Sequence, residues 1–495
     1  MRLKLNHLKL ESPNQMKKDN KKFTRRDLFK GAANAGLASA LLPLTGFAAT
    51  NQKSPIDKEL ISIDKQFTDS EVLKATVVIF TPSVIYASEG VEINIYFDNI
   101  IFSNLPIELL DIDIICSKGR QYDKFWRITP QAADEGSTIF RIEINFAGKL
   151  IASKTSELII NGKSKGSGQS IRVLCIGDST TAGGQYISII NSDYQFLESP
   201  SMTFLGTRGT ATNKHEGRGG WKFSQYAGDG GQITHQFNLN GIDEAPSNGS
   251  VYTNGVSEFT ITEINLTEGK GYIAGRRSNG TKSPSVNGNL TKISGAGDGT
   301  IPYTNSEMTA ANPFWNLKTQ RLDFNKYMIE HAFTMTSDDL ITIHLGINDV
   351  FNDVSEVKLE SIKADLIKMT AEFRAVVPRI NIGLCLTIPP SISQDAFAVN
   401  YASGQTLKKY MENYKQLINF LLSTYDTAEM RASRLYCIGF NHCIDRINNF
   451  QKTTMKANAR STKNIDTWAN GVHPDNTGYY QMGDALYVFI KSLVS

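Results

Sequence analysis

The strongest constraint on this chain is the pacing of its second half. From Ile171 onward, short apolar runs of strand length alternate with longer segments whose apolar residues recur at helical spacing. The runs are Ile171-Arg-Val-Leu-Cys-Ile-Gly177, Ile341-Thr-Ile-His-Leu345, Ile382-Gly-Leu-Cys-Leu-Thr-Ile388 and Leu435 to Phe440. Between and after them come Leu359, Ile362, Leu366, Met369 and Phe373, then Leu407, Tyr410, Tyr414, Leu417 and Leu421, and finally Met482, Leu486, Phe489 and Leu493. Alternating β and α units predict a parallel sheet between helical layers. In such sheets ligands bind beyond the carboxyl ends of the strands, so the residues just after each run matter most.

The first run stops at Gly177-Asp178-Ser179, which delivers a serine hydroxyl to a tight turn. Gly, Asp and Ser are also common turn formers, and Asp178 reads as a turn-stabilising side chain rather than a second acid. Two other islands end in small polar clusters: Ile341 to Val350, which contains Gly346-Ile-Asn-Asp349, and Asn470-Gly-Val-His-Pro-Asp475. Acyl transfer needs a nucleophile, a base to take its proton, and donors aimed at the oxyanion formed during attack. Ser179, His473 and Asn348 supply those chemical types. The glycine-rich turn Glu216-Gly-Arg-Gly-Gly-Trp221 could add a backbone N–H. Each island also has a plain structural reading: His473-Pro474 can end a loop before the last helix, and Asn348-Asp349 suits a helix N-cap.

Taken in order, these four islands resemble the sequence blocks of the SGNH (GDSL-type) serine hydrolase superfamily, in a carbohydrate-esterase-like version, over about residues 170 to 495. The resemblance implies a three-layer flavodoxin-like α/β domain and gives each residue a role. Ser179 is the nucleophile and donates its own N–H to the oxyanion, Asn348 donates its side-chain amide, and His473 is the base. The backbone donor of the second block falls on Gly217, with Gly219 and Gly220 as neighbouring alternatives. Where the family has an aspartate three residues before the histidine, this chain has Asn470. An amide carbonyl can accept the Nδ1 proton but cannot stabilise imidazolium as a carboxylate does. A Ser-His dyad is therefore expected, with the orienting group Asn470, a backbone carbonyl, or a carboxylate such as Asp466 or Asp475. The resemblance favours removal of O-acetyl groups from a polysaccharide or oligosaccharide. A lipase or thioesterase, or a non-catalytic carbohydrate-binding protein on the same scaffold, are the alternatives. Trp221 and Trp468 are candidate sugar contacts, with burial in the core as the competing fate.

Upstream, Val91, Ile93, Ile95 and Phe97, and again Phe140, Ile142, Ile144 and Phe146, alternate with polar residues at the period of half-buried strands. They predict an antiparallel β-sandwich accessory domain over 70–160, joined by a linker at 161–170 to the hydrolase domain at 171–495. A stretch of about 238–312, rich in Gly, Ser, Thr and Asn, reads as a β-rich insertion overhanging the site, where Tyr272, Arg276 and Arg277 could touch substrate. Residues 1–49 hold ten Lys and Arg against three acidic residues, and Thr24-Arg-Arg-Asp-Leu-Phe-Lys30 precedes an uncharged run. That pattern resembles a twin-arginine export signal, with 50–69 as a linker, and implies a periplasmic or secreted protein with no stable membrane span after signal removal.

With the signal set aside, the body carries a small negative charge, so nucleic-acid binding has no compositional support. The five cysteines are sparse; Cys175 and Cys385 sit in apolar runs as buried thiols, while Cys437 and Cys443 are close enough to pair if the chain turns back between them. No spacing matches a metal site, so no metal and no cofactor is expected. The sequence does not determine the oligomeric state.

Overall fold

The computed structural model describes residues 76–196, 198–231, 233–280, 287–400 and 404–495. The expected signal at 1–49 and linker at 50–69 lie outside the described residues. Five parallel strands form the central sheet in the order Ser201–Leu205, Ser170–Gly177, Leu340–His344, Asn381–Cys385 and Leu435–Ile438. The short strand Glu216–Gly217 pairs alongside Ile176 and Gly177. Strand addition reverses direction at Ser170–Gly177, which creates a switch point between that strand and Leu340–His344. Ser179 and Asn348 come directly after these two strands.

Every residue of Leu340–His344 and of Asn381–Cys385 is buried. Strands covered on both faces have no polar side to present, hence their continuous apolar sequence. Along Ser170–Gly177, Val173 and Cys175 join one core while Leu174 and Ile176 join the other, as the two-residue pleat requires. The flanking helices keep the predicted periodicity: Glu356–Val376 buries Ile362, Leu366, Met369 and Phe373, and Leu407–Tyr425 buries Tyr410, Tyr414, Leu417 and Leu421. Ser355, Thr406 and Asp475 cap the three long helices with side-chain oxygens.

The N-terminal strands form three small sheets, antiparallel except for one pair, and the two larger ones share a core through Phe140 and Trp126. Val84–Ser88, Lys149–Asn161, Gly136–Phe146 and Asp111–Ile115 make a four-stranded sheet whose first pair is parallel. Ile93–Tyr96, Phe125–Ile128 and Arg120–Gln121 make a second, and Val77–Ile79 pairs with Ile101–Ser103. The alternation expected through Phe97 breaks at Tyr96, because Phe97–Ile100 coils into a helical turn that buries Phe97 and Ile100. This region shares one core with the last helix, Asn476–Leu493: Ile85, Ile95, Trp126 and Phe140 cluster with Met482, Leu486 and Phe489. Hydrogen bonds cross as well, from Asn99 Nδ2 to Ile444 O (2.8 Å) and from Asn441 Nδ2 to Phe80 O (2.8 Å).

The insertion is a closed six-stranded antiparallel barrel over residues 233–310 with its own core of Phe237, Tyr252, Phe259, Ile273, Leu290 and Ile301. Closure leaves no free sheet edge, which a loose β excursion would have had. Its two ends meet where Asn312 Nδ2 donates to the carbonyls of Tyr226 and Gly228. All five cysteines are free thiols; Cys437 lies in the last sheet strand and Cys443 in a separate helical turn.

Candidate active site

Ser179 opens a one-turn helix, Ser179–Ala182, directly beyond the strand Ser170–Gly177. Asp178 is its N-cap, accepting from Thr180 N (2.9 Å) and Thr180 Oγ1 (2.7 Å). Thr180 Oγ1 also meets Nδ1 of buried His344 at 3.1 Å. Burial raises the Asp178 carboxyl to about 6 and lowers His344 to about 3. Asp178 therefore fixes the turn. As the first helical residue, Ser179 has an N–H with no intrahelical acceptor.

His473 reaches the serine from the loop before the last helix, and its Nε2 lies 2.7 Å from Ser179 Oγ. Burial lowers the imidazole below its ordinary range. On the other side of the ring, Asn470 does not act through its carbonyl. Its Oδ1 is occupied by two backbone donors, Val472 N and His473 N, both at 2.9 Å, so the amide nitrogen is the group that faces Nδ1, at 3.3 Å. An amide NH₂ can only donate, so it favours a bare Nδ1 with the proton on Nε2. The expectation that Asn470 accepts the Nδ1 proton is corrected by this geometry. Neither proposed carboxylate replaces it: Asp475 accepts from Thr477 N and Gly478 N as a helix cap, and exposed Asp466 pairs across a hairpin with Thr454.

Asn348 lies in the short helix Ile347–Val350, just beyond the strand Leu340–His344. The turn needs glycine at Gly346, where φ is 119° and a Cβ would approach Leu417 Cδ2 to 2.9 Å. Asn348 Nδ2 donates one proton to Trp221 O at 3.0 Å, which leaves the second amide proton available. Asp349 does not cap its own helix. Its carboxylate accepts from Phe223 N at 3.3 and 3.4 Å, and burial raises it to about 7. Asn348 and Asp349 thus tie the glycine-rich turn to the sheet.

That turn is built around a buried ion pair which the sequence reading did not single out. Arg218 Nη1 meets Glu216 Oε2 at 2.7 Å, and Glu216 Oε1 accepts from Thr207 N (2.6 Å) and Tyr327 Oη (2.8 Å). Arg218 also lies over the Trp221 ring, 4.9 Å from its centroid. The available signal was two opposite charges two residues apart, Glu216 and Arg218, within one glycine-rich turn.

Gly217 is not placed as an oxyanion donor. Its N–H is given to His215 Nδ1 at 2.9 Å, and a Cβ there would meet Ala182 N at 2.5 Å. The need for glycine at 217 is close packing against the serine helix. Gly219 is the residue that borders the nucleophile, since a Cβ built on it would sit 4.0 Å from Ser179 Cβ. Among the described residues its N–H has no acceptor.

Of the two tryptophans, Trp221 is half-buried, with its ring edge-on to Tyr226 at 4.7 Å. Trp468 packs into the core at the base of a hairpin, with Lys452 Nζ 5.0 Å from its ring. Tyr272, on the barrel, donates to Glu263 Oε1 at 2.6 Å.

A hydroxyl 2.7 Å from an imidazole at the carboxyl end of a parallel sheet, with the Gly219 backbone beside it, can carry out nucleophilic acyl transfer. The GDSL-like Lipase/Acylhydrolase family profile matches residues 173–486. The chain belongs to this family. It is accordingly a carboxylic ester hydrolase, and the N-terminal strands lie outside the family's span. A possible lipase from Chitinophaga pinensis DSM 2588 is similar in structure at 12% identity, covering 66% of this chain and 99% of the other, with a TM-score of 0.30. A peptidoglycan O-acetylesterase gives 13% identity, 66% and 94% coverage, and a TM-score of 0.27. A carbohydrate esterase family 2 enzyme with a carbohydrate-binding domain, from Corynascus thermopiles (Myceliophthora fergusii), gives 11%, 85% and 90%, and 0.27. No curated protein matches the chain in sequence. No helix among the described residues is long and apolar enough to cross a membrane.

Proposed function

We propose that this GDSL-family hydrolase is an exported serine esterase that removes O-acetyl or similarly small acyl groups from a polysaccharide through a covalent acyl-enzyme. The reading rests above all on the 2.7 Å contact between Ser179 Oγ and His473 Nε2 at the mouth of the switch point. Ser179 Oγ attacks the ester carbonyl, and its proton passes to His473 Nε2, which then protonates the departing sugar alkoxide. Water, deprotonated by the same nitrogen, cleaves the acyl-enzyme and releases the acid. Ser179 N–H, Gly219 N–H and the free Asn348 amide proton hold the oxyanion.

One feature of the site limits the rate. To accept a proton, Nε2 must be bare, which places the proton on Nδ1, against the Asn470 NH₂. The reactive tautomer gives up a hydrogen bond that the resting tautomer makes. The small-ester and polysaccharide parts of the reading come from the family resemblance and from the lack of a long apolar lid in the sequence. Export comes from the twin-arginine-like head. The test is acetate release from acetylated xylan, pectin and peptidoglycan, beside p-nitrophenyl esters of short and long acids. Acetate from at least one polymer and a preference for the short ester are expected. Efficient cleavage of long acyl esters alone would replace this reading with a lipase.

A further inference from the structure

We infer that the hairpin Lys452–Trp468 is a docking arm for an anionic polysaccharide, one bearing carboxylate or sulfate groups, and that it delivers such a polymer to Ser179. The inference rests on the esterase reading for the location of the site, though not for binding itself.

The hairpin pairs Lys452–Lys456 with Asn464–Trp468 and joins no other strand among the described residues. All five residues of the first strand are exposed, as are nearly all residues from 457 to 466. A lone two-stranded hairpin is marginal in water, and this one exposes a directly paired Met455 and Ile465, at 54% and 40%. Four cations, Lys452, Lys456, Arg460 and Lys463, stand against a single carboxylate, Asp466. Lys456, Arg460 and Lys463 have no ion-pair partner among the described residues. The charge is local, because the chain beyond residue 49 is net negative. One or two lysines would protect a sheet edge; cations that continue through the loop at Arg460 and Lys463 exceed that need.

The root of the arm lies at the catalytic loop. Phe450 bridges to Pro474, the neighbour of His473, and Ala469 N donates to Gln451 O at 2.8 Å. At roughly 3.3 Å per residue, Lys456 lies on the order of 15 Å out along the strand from that root. The cations therefore mark a line leaving the site. At the base, Lys452 covers the face of half-buried Trp468, five residues before His473 in the chain. A polymer with repeated negative charge can span this line while presenting one ester to the serine; a free monosaccharide ester cannot.

The test is the triple variant Lys456→Ser, Arg460→Ser, Lys463→Ser, which leaves Lys452 on its tryptophan. Binding is read with de-esterified polygalacturonate and a sulfated galactan as probes, using affinity electrophoresis at low and moderate salt. Turnover is read with O-acetylated polygalacturonate, O-acetylated xylan and p-nitrophenyl acetate. The wild type is expected to bind at least one anionic probe in a salt-sensitive way, and the variant about tenfold or more weakly. The KM for the acetylated anionic polymer rises to match, while p-nitrophenyl acetate turnover stays within about twofold. Equal retention of both proteins, equal binding of neutral xylan, or capture by anionic lipid vesicles in place of the polysaccharides would overturn the inference. If no ester is cleaved and binding still depends on the arm, the esterase reading fails and the arm stands.

Discussion

The substitution Asn470→Asp changes one atom of the side chain and reverses its role. Oδ1 keeps the two backbone bonds from Val472 N and His473 N at 2.9 Å, so the loop should hold its shape. The group 3.3 Å from Nδ1 becomes a carboxylate oxygen instead of an NH₂. In the native chain the contact favours the non-reactive tautomer by roughly the net value of one neutral hydrogen bond, about 0.5–1.5 kcal/mol. In the variant a charge-assisted bond worth about 1.5–3 kcal/mol favours Nδ1–H and the imidazolium formed during attack. Together the two effects total about 2–4.5 kcal/mol, a gain of roughly 30- to 2000-fold in kcat/KM. The pH profile should move as well. His473 acts as base only when neutral, that is, above its pKa, and burial lowers that pKa, so the native acid limb lies below the ordinary imidazole value. A carboxylate beside Nδ1 raises the pKa and shifts the acid limb upward. The assay is p-nitrophenyl acetate hydrolysis from about pH 4 to 9, with ¹⁵N spectra of imidazole-labelled protein to read the tautomer. A folded variant no faster than the native enzyme, or a native His473 already carrying its proton on Nδ1, would refute the reasoning.

The same geometry fixes further outcomes. Asn348→Ala removes the proposed side-chain oxyanion donor and should lower kcat on p-nitrophenyl acetate by about 10²–10³ with little change in KM. Gly217→Ala forces a Cβ against the serine helix and should cost about 1–3 kcal/mol of stability, lowering the melting temperature, whereas Gly219→Ala has room and keeps its N–H, so it should show near-native stability and kcat. Glu216→Gln leaves Arg218 buried without its counter-charge and should destabilise by about 3–5 kcal/mol in denaturant titration; near-native stability would mean the pair is not as dry as its geometry indicates.

Much of this architecture was legible in the sequence because buried parallel strands and amphipathic helices leave different periods. Ile341–Leu345 and Leu407–Leu421 each kept the pattern their burial demands. The places of Ser179 and Asn348 were legible because each follows a buried sheet strand, whereas His473 lies in the loop before the last helix and meets Ser179 only through the fold. What stayed hidden depends on direction and partner, which residue letters do not encode. Asn470 could be seen to stand where a carboxylate is usual, yet only the two backbone donors on its Oδ1 decide which end of the amide meets His473. Gly217 and Gly219 read alike, and only the approach of Ala182 and the claim of His215 on the Gly217 N–H separate them. The turn at Phe97 looked like strand because its alternation persists one residue beyond the point where the backbone coils. Barrel closure over 233–310 depends on long-range pairing, which the local pattern leaves open.

The most direct test of the Ser179–His473 pair is covalent. Treatment with a fluorophosphonate, with intact and peptide mass spectrometry as the readout, should place one adduct per chain on Ser179, absent in Ser179→Ala and formed far more slowly in His473→Ala. An adduct on another residue, or ester hydrolysis undiminished in Ser179→Ala, would contradict it.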